Sequence, residues 1–424
     1  MTTYAIPPIT QPFEIEINLP GSKSIALRQL AMSALTEEPT VLAGVPECDD
    51  ADAMIEALQV LGVSVEATND TLRLTGPMDF EADVRINARM SGASTRLLLG
   101  LAALRSGSTT IDGHESLRAR TNTPMLDVLV QHGCEVSAPD SGGLPTTIRG
   151  PITINDHIEI DGSISSQYIT GLLCALPQLK QRTEIKITGE LVSRPYIDIT
   201  LNEMRRRGVT AGWLSEDTLY VEPESYVGGH HVVEGDATAA TYFAGLATLH
   251  RSKVRLNNLG EASCQGDYAF MDIMRDLGAE VEKSKGSTII KGPERLSPLG
   301  ELDMTKMPDA ALTLIAMSPI LPGTTRITGL SSLHHKECDR LECPAKELRE
   351  MGISSNVTED TFSMHTQDLS NITAHELTTY HDHRMAMAFS LLGSQTGLLT
   401  IDDERVVDKT YPNYWQDYAK AADA

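Results

Sequence analysis

The stretch FMDIMRDLGAEVEKSKGSTIIKGP, residues 270–293, contains the pattern that decides the fold. Its apolar residues are spaced as on one face of a helix and lead up to Gly278. Glycine readily adopts the left-handed conformation that ends a helix. The residues that follow alternate between apolar and polar, pass through a polar turn and alternate again. This order predicts a helix followed by a β-hairpin.

The same order of elements recurs along the chain in four further stretches, 54–77, 125–151, 201–223 and 347–365. Its glycine returns about every 70–75 residues, at Gly62, Gly133, Gly208, Gly278 and Gly352. Chance similarity among ordinary α/β segments would not produce the same order of helix, glycine and hairpin five times. The unit is also longer than an ankyrin or leucine-rich repeat. Five copies, with room for a degenerate sixth, predict an α/β protein of two similar domains with three units each.

Within the first copy, Leu58, Val60 and Leu61 are predicted to form the apolar stripe of the helix. Further helices are predicted at 24–35, 91–103, 165–176, 237–249, 309–317 and 383–392. Most of them begin with small or polar residues, and the N–H groups at a helix start favour anions. Such helix starts, brought together between two domains, would make a cleft for a highly charged substrate.

The composition excludes several classes of protein. The net charge of -23 argues against nucleic acid as the main partner. The start of the sequence has no basic, apolar signal-peptide pattern, and no apolar run reaches the ~18 residues of a membrane span. Six scattered cysteines form no CxxC pair. A cytoplasmic protein without membrane contact is therefore expected.

Several short polar motifs could carry chemistry, although each alone also has a purely structural interpretation. They are PGSKSIALR from Pro20, DGSISSQY from Asp161, SRPY from Ser193, PDAA from Pro308, KECDRL from Lys336, HDHRMAM from His381 and DKTYP from Asp408. The GSKS run lacks the GxxxxGK[ST] spacing of a P-loop, so ATP binding there is rejected. The His381-Asp382-His383 run invites a metal site, but further ligands at convincing spacing are missing. No metal and no cofactor are expected.

Taken together and in this order, the motifs resemble those of the EPSP synthase family from Leu19 to Tyr414. The resemblance implies an inside-out α/β barrel-like fold of two domains, each with three βαβαββ units, and an active site in the cleft between them. It places one domain at 20–232 and the other at 1–19 plus 233–424. It also implies a monomer.

The resemblance further implies a set of site residues. For shikimate 3-phosphate these are Lys23, Ser24, Arg28, Ser165, Ser166, Gln167, Ser193, Tyr196, Asp309, Ser332 and Lys336. For phosphoenolpyruvate they are Lys23, Gly92, Arg120, Arg340, His383, Arg384 and Lys409. The catalytic residues that the resemblance implies are Lys23, Asp309, Lys336 and Glu337.

This sequence departs from the family pattern at three places. The residues around Gly92 read Met90-Ser91-Gly92-Ala93, where the family usually has Asn-Ala-Gly-Thr. Thr123 stands directly before Pro124, where the family has an arginine, so Arg120 is expected to replace it, with Arg118 as second choice. Ser332 stands where an asparagine is common. These changes affect details of the phosphoenolpyruvate pocket, and the retained Gly92 suggests sensitivity to glyphosate.

The implied reaction transfers the carboxyvinyl group of phosphoenolpyruvate to the 5-hydroxyl of shikimate 3-phosphate, through a tetrahedral intermediate, in aromatic amino-acid biosynthesis. Two alternatives stay open at this point. The related UDP-N-acetylglucosamine enolpyruvyl transferases share the fold and the donor, but they usually carry a reactive cysteine in a mobile loop, and residues 114–124 contain none. A non-catalytic binding protein would not need both the cations and the carboxylates of these motifs.

Overall fold

The computed structural model describes residues 3–68 and 70–424. The chain forms two compact units. We call Gly21–Glu234 the continuous unit, and the residues up to Pro20 together with Gly235–Ala424 the discontinuous unit. Each unit has a hydrophobic core of its own.

The strands in the described part of the chain are short, and in chain order they are β1 (Tyr4–Ala5), β2 (Glu14–Ile17), β3 (Thr40–Ala43), β4 (Ser64–Thr68), β5 (Thr71–Thr75), β6 (Val84–Asn87), β7 (Thr109–Asp112), β8 (Glu135–Ser137), β9 (Thr146–Arg149), β10 (His157–Asp161), β11 (Thr183–Thr188), β12 (Ala211–Trp213), β13 (Thr218–Val221), β14 (Gly229–Val232), β15 (Lys253–Leu256), β16 (Glu280–Lys283), β17 (Thr288–Lys291), β18 (Gly300–Asp303), β19 (Thr324–Thr328), β20 (Asn356–Val357), β21 (Phe362–His365), β22 (His375–Leu377) and β23 (Leu399–Ile401).

The α-helices are α1 (Lys23–Ser33), α2 (Asp49–Val60), α3 (Gly92–Ala103), α4 (Glu115–Arg118), α5 (Thr123–Gln131), α6 (Gln167–Ala175), α7 (Arg194–Arg206), α8 (Ala237–Leu249), α9 (Phe270–Asp276), α10 (Pro308–Met317), α11 (Glu342–Glu350), α12 (His383–Thr396) and α13 (Tyr414–Ala422). Short 3₁₀ segments lie at Leu176–Gln178, Gly266–Ala269, Ser331–His335, Leu369–Asn371 and Glu404–Lys409.

The continuous unit contains three four-stranded sheets of one design, with strand orders β14-β3-β5-β4, β6-β7-β9-β8 and β10-β11-β13-β12. In each sheet the first two strands are parallel and the last two form an antiparallel hairpin. Helices separate the earlier strands of a unit along the chain and the last two strands follow each other directly, which gives the predicted βαβαββ unit. In the first sheet, the opening strand β14 comes from the far end of the unit.

The discontinuous unit repeats this design in the sheets β2-β15-β17-β16 and β18-β19-β21-β20. Its third sheet has the three strands β1-β23-β22, in which β22 and β23 are parallel and the N-terminal β1 pairs antiparallel with β23. This sheet is the degenerate sixth copy that the repeat left room for. The predicted α/β architecture with three units in each half is therefore confirmed.

In each βαβαββ repeat, the first helix is the inner one, on the inside of the compact unit to which the repeat belongs. The helices α1, α3 and α6 pack together in the continuous unit, as do α8, α10 and α12 in the discontinuous unit. Every residue of α8 is buried. The predicted motifs around Lys23, Gly92, Gln167, Asp309 and Arg384 lie at the starts of these inner helices.

The repeated glycines have the backbone conformation that the sequence predicts. Their φ angles lie between +79° at Gly208 and +104° at Gly278, in the region that favours glycine. The predicted stripe of α2 was partly wrong. Leu58 and Leu61 are buried, but Val60 is 46% exposed, because a residue two positions from Leu58 points to another side of the helix. In the described ranges, no helix is long and apolar enough to cross a membrane.

Candidate active site

Asp309 is the second residue of the inner helix α10, where Pro308 occupies the first position. Three cationic side chains contact its carboxylate. Lys336 Nζ lies 3.0 Å from Oδ1, Arg340 Nη1 lies 3.1 Å from Oδ1, and Arg384 Nη2 lies 3.2 Å from Oδ2. Burial raises the pKa of Asp309, but the three cations lower it more, so its pKa lies well below the usual range. Asp309 is therefore a carboxylate at neutral pH.

Arg340 is fully buried and connects Asp309 to two further carboxylates. Its Nε and Nη2 lie 2.7 and 3.1 Å from the two oxygens of Asp382. Nη2 also lies 2.7 Å from Glu337 Oε2. Burial alone would lower the pKa of Arg340, but the negative charges of Asp382, Glu337 and Asp309 outweigh this effect. The pKa of Arg340 therefore lies above its usual range. The guanidinium is therefore held in one place by its planar, bidentate contact with Asp382.

Lys409 completes this group, with Nζ 3.3 Å from Glu337 Oε1. We call the group the Asp309 cluster; its cations are Lys336, Arg340, Arg384 and Lys409, and its carboxylates are Asp309, Glu337 and Asp382. Four cations against three carboxylates leave one excess positive charge in a mostly buried place. Such a place favours an anionic ligand.

Asp267, in the 3₁₀ segment Gly266–Ala269, is a further buried acid in this unit. It accepts a hydrogen bond from the hydroxyl of Thr238 on α8. Burial, followed by the nearby charge of Asp309, raises the pKa of Asp267 to about 7. A proton on Asp267 preserves the excess positive charge of the Asp309 cluster.

The continuous unit holds Arg28 of α1 in a different manner. Arg28 is buried and donates to four neutral oxygens. These are Ser24 O at 2.6 Å, Thr200 Oγ1 at 2.8 Å, Tyr196 O at 2.9 Å and Thr170 Oγ1 at 3.3 Å. The contacts bring the starts of α1 and α7 together with α6, and with them the predicted residues Ser24, Arg28 and Tyr196.

The predicted hydroxyl and amide residues lie beside these helix starts. Ser165 accepts from the backbone N–H of Gln167 at 3.3 Å, and Ser166 is the buried residue that precedes α6. Ser193 precedes α7 in a left-handed conformation, with φ 56°. A serine in this region costs conformational energy, which is often found where a side chain must take one position for function.

Lys23, the first residue of α1, forms an ion pair with the buried Asp50 at the start of α2, with Nζ 2.9 Å from Oδ2. Only 2% of the Asp50 side chain is exposed. The carboxylate therefore fixes the ammonium group of Lys23 at the helix start.

Gly92 is the first residue of α3, and two arginines lie against it. A Cβ atom at this position would stand 2.6 Å from Arg120 Nη1 and 2.9 Å from Arg96 Nη1. Arg96 also donates to Gly92 O at 3.0 Å. In contrast, Arg118 is half-exposed and pairs with Asp112 at 2.8 Å. Of the two arginines considered for this loop, Arg120 is the one beside Gly92.

Two predicted residues are connected to the Asp309 cluster weakly or not at all. His383 is buried, and its Nδ1 is 3.6 Å from Asp382 Oδ1. Within residues 3–68 and 70–424, no described hydrogen bond joins the Ser332 side chain to this cluster. The oxygens of Asp382 accept hydrogen bonds from Arg340 and from the backbone N–H of Arg384.

The sequence reasoning missed Asp382, Asp50 and Asp267. Asp382 lies in a run of residues that resembles a metal site, although an acid directly before a predicted helix is a typical N-cap. Asp50 belongs to an acidic run, which normally lies on a solvated face. Asp267 gave no recognisable signal, because its neighbours on α8 and α10 are brought to it only by the fold.

Comparison with known proteins identifies the relatives of this chain. The family model described as EPSP synthase (3-phosphoshikimate 1-carboxyvinyltransferase) matches residues 8–418. Proteins named 3-phosphoshikimate 1-carboxyvinyltransferase from Ralstonia pickettii and Mannheimia haemolytica are 36% and 34% identical. The alignments cover 94% and 99% of this chain and 95% and 99% of the relatives. A solved structure of EPSP synthase from Acinetobacter baumannii superposes with a TM-score of 0.81 at 24% identity, covering 100% of this chain and 98% of that one. This structural likeness shows the shared fold.

Proposed function

The chain belongs to the EPSP synthase family, whose reaction is that of a 3-phosphoshikimate 1-carboxyvinyltransferase, and from this premise we propose how its residues carry out the reaction. The substrates are phosphoenolpyruvate and shikimate 3-phosphate. The products are phosphate and 5-enolpyruvylshikimate 3-phosphate, a step of the shikimate pathway toward the aromatic amino acids.

Phosphoenolpyruvate carries a carboxylate and a phosphate, and we assign both to cations. Arg340 and Arg384 bind the carboxylate, with Arg120 as a third guanidinium, while Lys23 and Lys409 lie at the phosphate. Gly92 leaves the room that Arg120 needs, since a Cβ there would stand 2.6 Å from its guanidinium. His383 acts through Asp382, its neighbour at 3.6 Å, and supports the backbone from which Arg384 extends.

Shikimate 3-phosphate is assigned mainly to the continuous unit. Arg28 and the hydroxyl groups of Ser24, Ser165, Ser166 and Ser193 offer one charge and several donors to its phosphate. Gln167 and Tyr196 bind its ring hydroxyls. Ser332 and Lys336 of the discontinuous unit are proposed to assist.

Asp309 orients the attacking 5-hydroxyl and accepts its proton. With three cations against it, Asp309 is a weak base. When the carboxylate of phosphoenolpyruvate takes over hydrogen bonds from Arg340 and Arg384, the pKa of Asp309 rises toward the range where a carboxylate can accept a proton. The reaction thus becomes possible only after the donor has bound.

Glu337 or Lys336 supplies the proton to the methylene carbon of phosphoenolpyruvate, while the 5-hydroxyl oxygen bonds to the neighbouring carbon. The resulting tetrahedral ketal then loses phosphate, and a proton leaves the methyl group to restore the double bond. The fixed cations stabilise the charges that shift during these steps, without having to reorganise. We propose no metal, nucleotide or covalent intermediate.

The single observation that supports this assignment best is that Lys336, Arg340 and Arg384 all contact one largely buried carboxylate, that of Asp309. A structural ion pair needs one cation, whereas an anion-binding site beside a proton acceptor needs several.

The test is phosphate release by the purified protein with phosphoenolpyruvate, offered shikimate 3-phosphate or UDP-N-acetylglucosamine in parallel and with a chelator present. We expect release with shikimate 3-phosphate alone. Release with the nucleotide sugar alone would assign the chain to the sister activity. Absence of release with both would leave a binding protein that has kept the fold.

We further propose that the enzyme is a cytoplasmic monomer. Light scattering coupled to gel filtration should give a mass near the 46.0 kDa of one chain. A mass near twice this value would refute the monomer.

A further inference from the structure

An exposed arginine and an exposed aspartate of α7 both contact the indole ring of Trp213, the last residue of strand β12. The guanidinium carbon of Arg194 lies 3.8 Å from the centre of the ring, and the indole Nε1–H donates to Asp198 Oδ1 at 2.8 Å. Arg194 and Asp198 stand four residues apart, so they share one face of the helix. The ring is therefore bound through both its face and its N–H group.

The pairing of β12 with β13 fixes the side of this hairpin on which Trp213 stands. Trp213 is opposite Leu219, so the two side chains point to the same face of the sheet. Leu219 is fully buried, and Trp213 packs against the hydrophobic core of the continuous unit. At the turn of the hairpin, the carbonyl oxygen of Glu216 accepts from Arg194 Nη1 at 3.1 Å. The hairpin thus holds Arg194 at two points.

The residue directly before this arginine is the serine in the left-handed conformation. Ser193 is buried, has φ 56° and precedes α7. A residue keeps such a conformation only where its surroundings hold the backbone. On one side the backbone N–H of Val192 donates to Gly162 O at 3.2 Å, and on the other side the hairpin holds Arg194. Trp213 thus contributes to the position of Ser193.

We propose that Trp213 is a positioning residue for shikimate 3-phosphate, which acts by holding the start of α7 through Arg194 and Asp198. This role rests on the proposed function, because that function assigns Ser193 and Tyr196 at this helix start to the substrate. Trp213 contacts no reacting atom in this role. Its removal weakens the binding of shikimate 3-phosphate and leaves the chemical step nearly unchanged.

Burial of charge does not explain the contacts of the indole ring. Arg194 and Asp198 are exposed, so water can solvate both charges without Trp213. A guanidinium group over an indole ring is attracted by the negative face of the ring even at an exposed site. The indole therefore limits the motion of the first turns of α7. A looser helix start would let Ser193 leave its strained conformation and would move its hydroxyl group away from the phosphate.

The experiment measures the binding of shikimate 3-phosphate to the full-length protein by calorimetric titration, beside steady-state kinetics. We expect Trp213→Ala to raise Kd and KM for shikimate 3-phosphate by about five- to tenfold. In this variant kcat and KM for phosphoenolpyruvate should change by less than about twofold. Trp213→Phe keeps an aromatic ring for Arg194 but lacks the N–H group, so its Kd should lie between those of wild type and Trp213→Ala.

Tyr220→Ala is the matched control on the same hairpin. The guanidinium carbon of Arg182 lies 4.6 Å from the centre of the Tyr220 ring, so this variant also loses a contact between a cation and a ring. Tyr220 is opposite Gly212, next to the pair of Trp213 and Leu219, and therefore points to the other face of the sheet. The variant should bind shikimate 3-phosphate like the wild type.

An unchanged Kd in Trp213→Ala would overturn the inference, as would an equal loss of affinity in Tyr220→Ala. A fall in kcat or in the number of binding sites at constant Kd would overturn it too, because Trp213 would then stabilise the fold alone. If Trp213→Ala does not fold, Trp213→Phe decides, since its Kd must exceed that of the wild type. Failure of the proposed function would be distinct, because the wild type itself would then bind no shikimate 3-phosphate or release no phosphate with it.

Discussion

Arg340 of the discontinuous unit and Arg28 of the continuous unit are both buried guanidinium groups at proposed anion sites, yet their partners differ. Arg340 contacts Asp309, Glu337 and Asp382. The described partners of Arg28 are backbone carbonyls and threonine hydroxyls. The charge of Arg340 is therefore already shared among carboxylates, whereas the hydrogen bonds described for Arg28 go to neutral oxygens.

This difference has a consequence for binding. An anion that approaches Arg340 competes with carboxylates and so changes their pKa values, which couples binding to proton transfer. An anion that approaches Arg28 meets a donor that hydrogen bonds to neutral oxygens hold in position. We infer that the discontinuous unit performs the chemistry and that the continuous unit contributes mainly affinity and orientation.

The largest expected effect comes from removing the shared carboxylate. Asp309→Ala should lower kcat by about 10²–10⁴-fold, the usual contribution of an acid or base group, with little change in shikimate 3-phosphate binding. The measurement is steady-state kinetics beside calorimetric titration. Asp309→Asn keeps the size and one acceptor oxygen and serves as the matched control for packing. A proportional loss of binding and turnover in both variants would contradict the division of roles between the units.

A second prediction concerns the pH dependence of stability. Because the folded-state pKa of Asp267 is raised to about 7, the folded state binds a proton there that the unfolded state releases near pH 4. The stabilising effect of this proton is fully present below the unfolded pKa and declines as pH rises to about 7. Asp267→Asn should therefore gain stability relative to wild type across this window, by at most about 4 kcal/mol.

Urea unfolding between pH 4 and pH 8 measures this difference. Asp272→Asn is a suitable control, because the half-exposed Asp272 pairs with Arg275 and Lys283 at the surface. A constant stability difference between Asp267→Asn and wild type over the range would show that Asp267 is ionised in the folded protein.

The repeat explains why so much of the fold was predictable. One order of helix, glycine and hairpin, seen five times, was enough to predict two halves of three units, because local signals such as Gly278 specify the same local conformation each time. The degenerate unit was less visible, since its sheet takes β1 from the N-terminus instead of a local hairpin. The error at Val60 arose from counting apolar residues without their direction around the helix.

The candidate site was predictable only where motifs carry charge in unusual combinations. Asp309, Arg340 and Arg384 stand out in PDAA, KECDRL and HDHRMAM, and the fold brings them together. Asp267 could not be predicted as a site residue, because its raised pKa comes from burial and from the charge of Asp309. The residues next to it in the sequence indicate neither of these.

A third, smaller effect tests the continuous unit. In Gly92→Ala the new Cβ would stand 2.6 Å from Arg120 Nη1, so this long side chain must move away from α3. We expect KM for phosphoenolpyruvate to rise by about tenfold or less and the inhibitory concentration of glyphosate to rise as well, with kcat nearly unchanged. Gly133→Ala is a control at a glycine without neighbouring atoms within 4 Å, whose cost is backbone strain alone. A fall in kcat with constant KM would place Gly92 in the chemical step.

The smallest effect is expected at Arg118 and separates the two loop arginines. Arg118 is half-exposed and bound to Asp112, so Arg118→Ala should remove only a solvent-screened surface ion pair and change KM for phosphoenolpyruvate by less than about twofold. Arg120→Ala, beside Gly92, should raise that KM by about tenfold or more. Steady-state kinetics of the two variants at one ionic strength decides between them. If Arg118→Ala had the larger effect, the donor-binding arginine would lie two residues earlier in the loop, and the contact between Arg120 and Gly92 would serve packing alone.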